Sequence, residues 1–250
     1  FLDKTPRYYH IIPELYRTFP KANFIILLRN PLAVLCSIVN IWIKECWFSL
    51  YLYEHDLLKA PIELTKGIKL LTEKCTVSNY ENLLSNPDNE IKTICDRLEI
   101  NFDPKMINYG SKDFPKWKFG DEKTVYAHKR PDSKNIDTWI LNLQNPQMWR
   151  VANDYLHFLG EDIIKQMGYS YEELEQIINE HRPNWFILCR TLSLELLLKK
   201  PQERTKREFF FMRFIILLQL RGFKGLIIRL VQKLLGITPK SGQIKKVMSS

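Results

Sequence analysis

Residues 23–44 read N-F-I-I-L-L-R-N-P-L-A-V-L-C-S-I-V-N-I-W-I-K, and the fold turns on how this stretch is read. Phe24–Leu28 has the length and β-branched content of a buried strand. It stops at Arg29, and Asn30-Pro31 reads as helix cap and first helical residue. The helix that follows is apolar almost all round, through Leu32, Val34, Leu35, Ile38, Val39, Ile41 and Trp42, which predicts a buried helix that runs as far as Leu50. Asn30, Ser37, Asn40 and Lys44 nevertheless fall on one narrow face. A buried helix with a polar stripe faces something polar. An arginine at the carboxyl end of a strand, followed by a helix amino terminus, suits an anion, and the stretch reads as a phosphate site.

The remainder of the chain is compatible with one substantial core. It has 250 residues, 45% of them hydrophobic, with no low-complexity segment and no internal repeat. The five cysteines are odd in number and show neither C-x-x-C nor Cys/His metal spacing, so reduced thiols in a cytoplasmic protein are expected. No secretory signal is visible, and the opening at Phe1 within interior-like sequence predicts a missing amino-terminal portion. The net charge of +9 is unevenly placed. Residues 1–182 carry 23 Lys and Arg against 25 Asp and Glu, whereas residues 183–250 carry 14 against 3. The basic character therefore belongs to the tail and gives no reason to expect nucleic-acid binding by the main domain.

Around the opening stretch the elements follow in order. Residues 1–4 read as an extended segment ending near Lys4, because Pro6 disfavours helix at Thr5. Residues 11–19 have helical spacing, so strand, helix and strand predict a right-handed βαβ unit with Lys4 and Arg29 on one edge. A helix over residues 63–74, a strand over 75–80, a loop over 81–84 and a helix capped by Asn86 come next. Residues 103–138 read as loop. Asn145-Pro146 opens a helix with Met148, Trp149, Ala152, Tyr155, Leu156 and Leu159 on its apolar face, and a short helix from Glu161 ends at Gly168-Tyr169. An acidic amphipathic helix spans residues 172–181. Residues 208–236 then form a basic amphipathic stretch, interrupted too often by Arg and Lys to span a membrane. Such a stretch fits an anionic membrane surface, or packing on the domain or on a partner subunit.

Three segments together resemble the sulfotransferases, which use 3′-phosphoadenosine 5′-phosphosulfate (PAPS) as sulfuryl donor. They are L-D-K-T-P-R-Y, F-P-K-A-N-F-I-I-L-L-R-N-P-L-A-V-L-C-S, and Tyr80-Glu81-Asn82-Leu83 before an N-P-D helix. The similarity runs on through Phe119-Gly120-Asp121, Trp139 and Met167-Gly168-Tyr169, over about residues 1–170. It implies an α/β fold, a P-loop-type three-layer sandwich with a central parallel sheet over residues 1–171, plus a helical extension over 172–250. Arg29 and Ser37 match positions that bind the donor's 3′-phosphate, where a planar guanidinium can donate two parallel bonds. Lys4 matches the lysine that reaches the 5′-phosphosulfate and steadies the leaving phosphate. Tyr80 matches a tyrosine near the adenine, and Lys129 resembles a donor-contacting lysine of the tyrosylprotein branch.

The departures are as informative. The family's P-x-S-G-T-T-like 5′-phosphosulfate loop is absent from these residues, and Pro6 stands where cytosolic members carry a histidine. No base is therefore assigned, His10 being merely the nearest histidine. The leading reading is sulfuryl transfer from PAPS to a hydroxyl or amine, with no metal. A kinase of related architecture would be expected to carry Mg²⁺-binding carboxylates beside its phosphate loop, and no acidic residue follows Leu28 closely. Outside enzymes, a nucleotide-binding relic or a membrane-peripheral binding module is the alternative.

Overall fold

Two parallel strands organise the amino-terminal half. In the computed structural model, which describes residues 2–44, 46–108, 129–188 and 191–215, β1 (Phe24–Leu28) pairs with β2 (Cys75–Asn79). Partners run from Phe24↔Cys75 to Leu28↔Asn79, so the next residues of the two strands, Arg29 and Tyr80, leave the sheet side by side. Strand alternation turns Ile26 and Leu28 into a small core with Tyr9, Ile12, Ala60, Leu71, Cys75 and Met167. β1 ends as predicted. Asn30 turns the chain, its side chain accepts from the Leu32 amide at 2.9 Å, and Pro31 opens α2 (Pro31–Ile38). The described chain is thus a helix-rich α/β fold with a small parallel sheet.

Several sequence expectations change. Residues 2–5 form no strand: Leu2 is exposed, and an extended segment with no neighbouring strand has nothing to pair with. The strand–helix–strand unit therefore begins at β1 and closes at β2. Its crossover contains α2, a turn at His55–Lys59 and α3 (Ala60–Leu71). α1 (Ile12–Thr18) packs on α3 where Gly67 leaves room, since a Cβ there would stand 2.6 Å from Ile12 Cδ1.

The helix after Pro31 does not continue to Leu50. It widens into a π-helical turn at Val39–Ile43 and reverses at Lys44, which has φ 52°, before a 3-10 segment at Trp47–Tyr53. Ile41 and Trp42 consequently lie on the surface, while Asn40 donates to Asn142 Oδ1 at 2.9 Å. The expected loop at residues 81–84 is part of a short helix, α4 (Tyr80–Ser85), and Asn86 precedes α5 (Pro87–Arg97) without a side-chain cap.

After α6 (Thr138–Leu141), the carboxyl-terminal half is built on α7 (Pro146–Gln166). Asn145 Oδ1 accepts from the amides of Gln147 and Met148, so the predicted cap is present. Met148, Trp149, Ala152, Tyr155, Leu156 and Leu159 are all buried, as their spacing predicts. Gly160, at φ 70° and ψ 168°, breaks the helical path where the expected second helix begins. Buried polar tips are satisfied: Trp149 Nε1 donates to the Ile178 carbonyl and Tyr155 OH to that of Leu57, both at 2.7 Å.

α8 (Tyr171–Glu180) is capped by Ser170; α9 (Trp185–Leu188) and α10 (Leu194–Leu198) follow. The larger core joins α2, α7, α8 and α10 to Met212 and Ile215 of helical residues 206–215. Among the described residues no single helix is long and apolar enough to cross a membrane. Phe119-Gly120-Asp121 and the cations Arg221, Lys224, Arg229 and Lys233 lie outside the described residues.

Candidate active site

The parallel register delivers Arg29 to Tyr80. The guanidinium carbon lies 4.6 Å from the centroid of the tyrosine ring, within cation–π range. The arginine is half-buried, and its Nε is sequestered from solvent with no hydrogen-bond acceptor among the described residues. Among the described residues no carboxylate stands within ion-pair distance of it. A dry, charged N–H without an acceptor is a costly arrangement, of order 1–3 kcal/mol or more, that an incoming anion relieves.

The shelf beneath Arg29 is held by a residue that was not singled out from the sequence, Glu81. Its Oε1 accepts from the Asn30 amide at 3.0 Å, and its Oε2 accepts from Tyr169 OH at 2.7 Å. Both carboxylate oxygens therefore hold neutral donors, so Glu81 braces the turn. Burial and then the bond to Glu81 push the Tyr169 hydroxyl well above its ordinary range, with the Arg29 charge opposing them. Tyr169 is turned back toward the sheet by Gly168, at φ 85°, and Asn79 Nδ2 donates to the Met167 carbonyl at 3.3 Å. The one local signal for this brace was the juxtaposition of Glu81 with Tyr80, together with the Met167-Gly168-Tyr169 ending.

The other sequence-predicted residues are distributed unequally. Ser37 is half-exposed on α2, two turns beyond Asn30, and no partner of its hydroxyl is found among the described residues. Its neighbour Cys36 is buried against the Trp139 carbonyl. Burial pushes that thiol up to about 12, against the opposing charge of Arg29. Lys129 is exposed in a shallow cleft of about 530 Å³ that includes Leu84, Ser85 and Pro87, at the far end of α4 from Tyr80. The structure joins Arg29 and Tyr80 and does not bring Lys129 into contact with them.

Lys4 is exposed on the unpaired opening segment. What holds that segment is Asp56, which accepts from Arg7 at 3.0 and 2.6 Å and from Tyr9 OH at 2.8 Å. Tyr8 OH bonds back to Asp3. Burial, followed by the Asp56 bond, pushes the Tyr9 hydroxyl above its usual range. His10 stacks beside Tyr9, with ring centroids 4.1 Å apart, and faces His55 at 5.6 Å. Among the described residues no three His, Cys, Asp or Glu side chains gather as a metal-ligand group.

Comparison with known proteins bears on the same residues. Residues 1–104 match the model of the Sulfotransferase family, a span that contains Lys4, Arg29, Ser37, Tyr80 and Glu81. Over 191 residues the chain is 26% identical to nodulation protein NoeE of Sinorhizobium fredii, covering 67% of this chain and 44% of that protein. The chain thus spans less than half the length of this curated relative. No solved structure matches it. The Arg29 turn, the strand beside it and the Tyr80-Glu81 helix all fall inside the stretch that is similar to the Sulfotransferase family.

Proposed function

We propose that the protein transfers a sulfuryl group from PAPS to a hydroxyl or amine acceptor, with Arg29 receiving the donor's 3′-phosphate. The observation that supports this most directly is the Arg29 Nε, dry and without an acceptor among the described residues, on a guanidinium stacked over Tyr80 at the end of a strand. A phosphate oxygen supplies the missing acceptor, and the planar fork can engage a second oxygen. Ser37, two turns into α2, offers its hydroxyl to the same phosphate. Tyr80 fills two roles, supporting the guanidinium and offering an aromatic surface for the adenine. Lys129 is assigned a weaker contact with the donor, through the cleft at the end of α4.

In the reaction, the acceptor's oxygen or nitrogen forms a bond to sulfur and gives up its proton to water. The bond from sulfur to the 5′-phosphate oxygen breaks, and its electron pair stays on the phosphate. Negative charge grows on that oxygen, where the Lys4 ammonium acts. The product is 3′-phosphoadenosine 5′-phosphate, and no metal is required for this charge balance.

Calorimetric titration with 3′-phosphoadenosine 5′-phosphate tests the assignment. Arg29→Ala is expected to weaken binding by about 1.5–3 kcal/mol, the range for a hydrogen bond to a charged group. Equal affinity in variant and parent would remove Arg29 from the site. Tight binding with no turnover of PAPS over a broad acceptor panel would favour the nucleotide-binding relic instead.

A further inference from the structure

Helical residues 206–215 lie against the domain, with Phe214 half-buried beside the larger core. Glu208, Met212 and Ile215, at i, i+4 and i+7, turn inward. Met212 and Ile215 enter the larger core, and Glu208 accepts from Lys199 Nζ at 2.6 Å and from the Thr205 amide at 2.8 Å. The segment is also fastened just before its first turn. The Arg204 guanidinium lies over the rings of Phe48 and Tyr51, at 5.6 and 5.8 Å, and donates to the Phe48 and Leu197 carbonyls. Held in this way, the helix presents its opposite face to the outside.

That face carries Lys206, Arg207, Phe209, Phe210, Phe211 and Arg213, all exposed, with Phe210 at 69%. The Arg213 guanidinium stands 5.9 Å from the Phe209 ring centroid. No carboxylate shares the arc, because Glu208 points inward to Lys199. Three consecutive exposed phenylalanines ringed by cations call for an apolar and anionic counterpart. A second copy of the same face would set like charges against each other and is disfavoured. Residues 216–250 add seven Lys and Arg and no Asp or Glu, so the adjoining sequence has the same sign.

We propose that this face docks on an anionic membrane surface, with Phe209, Phe210 and Phe211 entering the headgroup boundary and Lys206, Arg207 and Arg213 meeting the lipid anions. The contact is peripheral and uses none of the residues assigned to the donor. It stands independently of the sulfuryl-transfer reading.

Co-sedimentation of the full chain with phosphatidylcholine vesicles containing about 30% phosphatidylserine provides the test. Binding is expected to the anionic vesicles, to be weak on pure phosphatidylcholine, and to fall in about 0.5 M salt. The triple variant Phe209→Ala, Phe210→Ala, Phe211→Ala is expected to lose at least about tenfold in vesicle affinity. These rings are largely outside the core, so its unfolding midpoint should match the parent's. Reversal of Lys206, Arg207 and Arg213 to Glu should cause a loss of about tenfold or more with the rings intact. Sedimentation of the phenylalanine variant equal to the parent's would overturn the proposal, as would equal binding to neutral vesicles. A parent that forms dimers which the phenylalanine variant abolishes, without binding vesicles, would overturn it in favour of self-association.

Discussion

Arg29 and Lys4, two cations assigned to one donor, are held in opposite ways. Arg29 leaves a strand whose backbone is paired along its whole length, and the turn that carries it is braced by Glu81 and backed by Tyr80. Lys4 rides a segment that pairs with no strand and is tied to the domain three to five residues later, through Arg7 and Tyr9 on Asp56. On the proposed assignment, the contrast separates recognition from chemistry. The group proposed to receive the phosphate sits at the end of a paired strand, whereas the group proposed to meet developing charge hangs from side-chain contacts with more latitude. Less cooperative structure must open to displace Lys4 than to displace Arg29.

This contrast can be broken at its chemical end first. Lys4→Ala is expected to lower turnover about 10²–10³-fold, as for loss of one group that stabilises developing charge, while affinity for 3′-phosphoadenosine 5′-phosphate changes far less. The measurement is release of that product from PAPS with an acceptor that supports turnover. A parent-like rate would take Lys4 out of the reaction. Glu81→Ala comes next, leaving the half-buried Tyr169 hydroxyl and the Asn30 amide without their acceptor. A loss of about 2–4 kcal/mol in urea-induced unfolding is expected, accompanied by weaker nucleotide binding. Were stability unchanged, the brace under Arg29 would not be structural. The smallest effect falls on the Lys4 side. Asp56→Ala should cost about 1–2 kcal/mol of stability, mostly through Tyr9, since Arg7 is largely solvated. It should slow turnover with little change in nucleotide affinity. Loss of nucleotide affinity comparable to that of Arg29→Ala would show that the two halves are not separate.

The legible parts of the molecule were those encoded by contiguous residues. β1, the Asn30-Pro31 helix start and the buried face of α7 each follow from apolar period and capping chemistry within a few positions. Long-range interactions set the rest. Residues 1–4 have extended character, yet a strand exists only where another strand pairs with it. The helix after Pro31 was read too long because β-branched residues continue the apolar pattern across a π-turn, and the left-handed reversal at Lys44 carries no glycine to announce it. Glu81 as a brace was barely legible for a related reason. Its two donors lie 51 residues before it and 88 residues after it. Resemblance assigned Arg29 and Tyr80 to one donor without pairing them, and the strand register brings the two side chains together.

The stack of Arg29 on Tyr80 also bears on entropy. A free arginine side chain carries about 2 kcal/mol of rotamer freedom, which a flexible one must surrender when it grips an anion. Here much of that freedom is removed during folding by the aromatic face and the half-buried setting. An anion bound as proposed would meet a guanidinium close to its final posture, and more of each new hydrogen bond would survive as affinity.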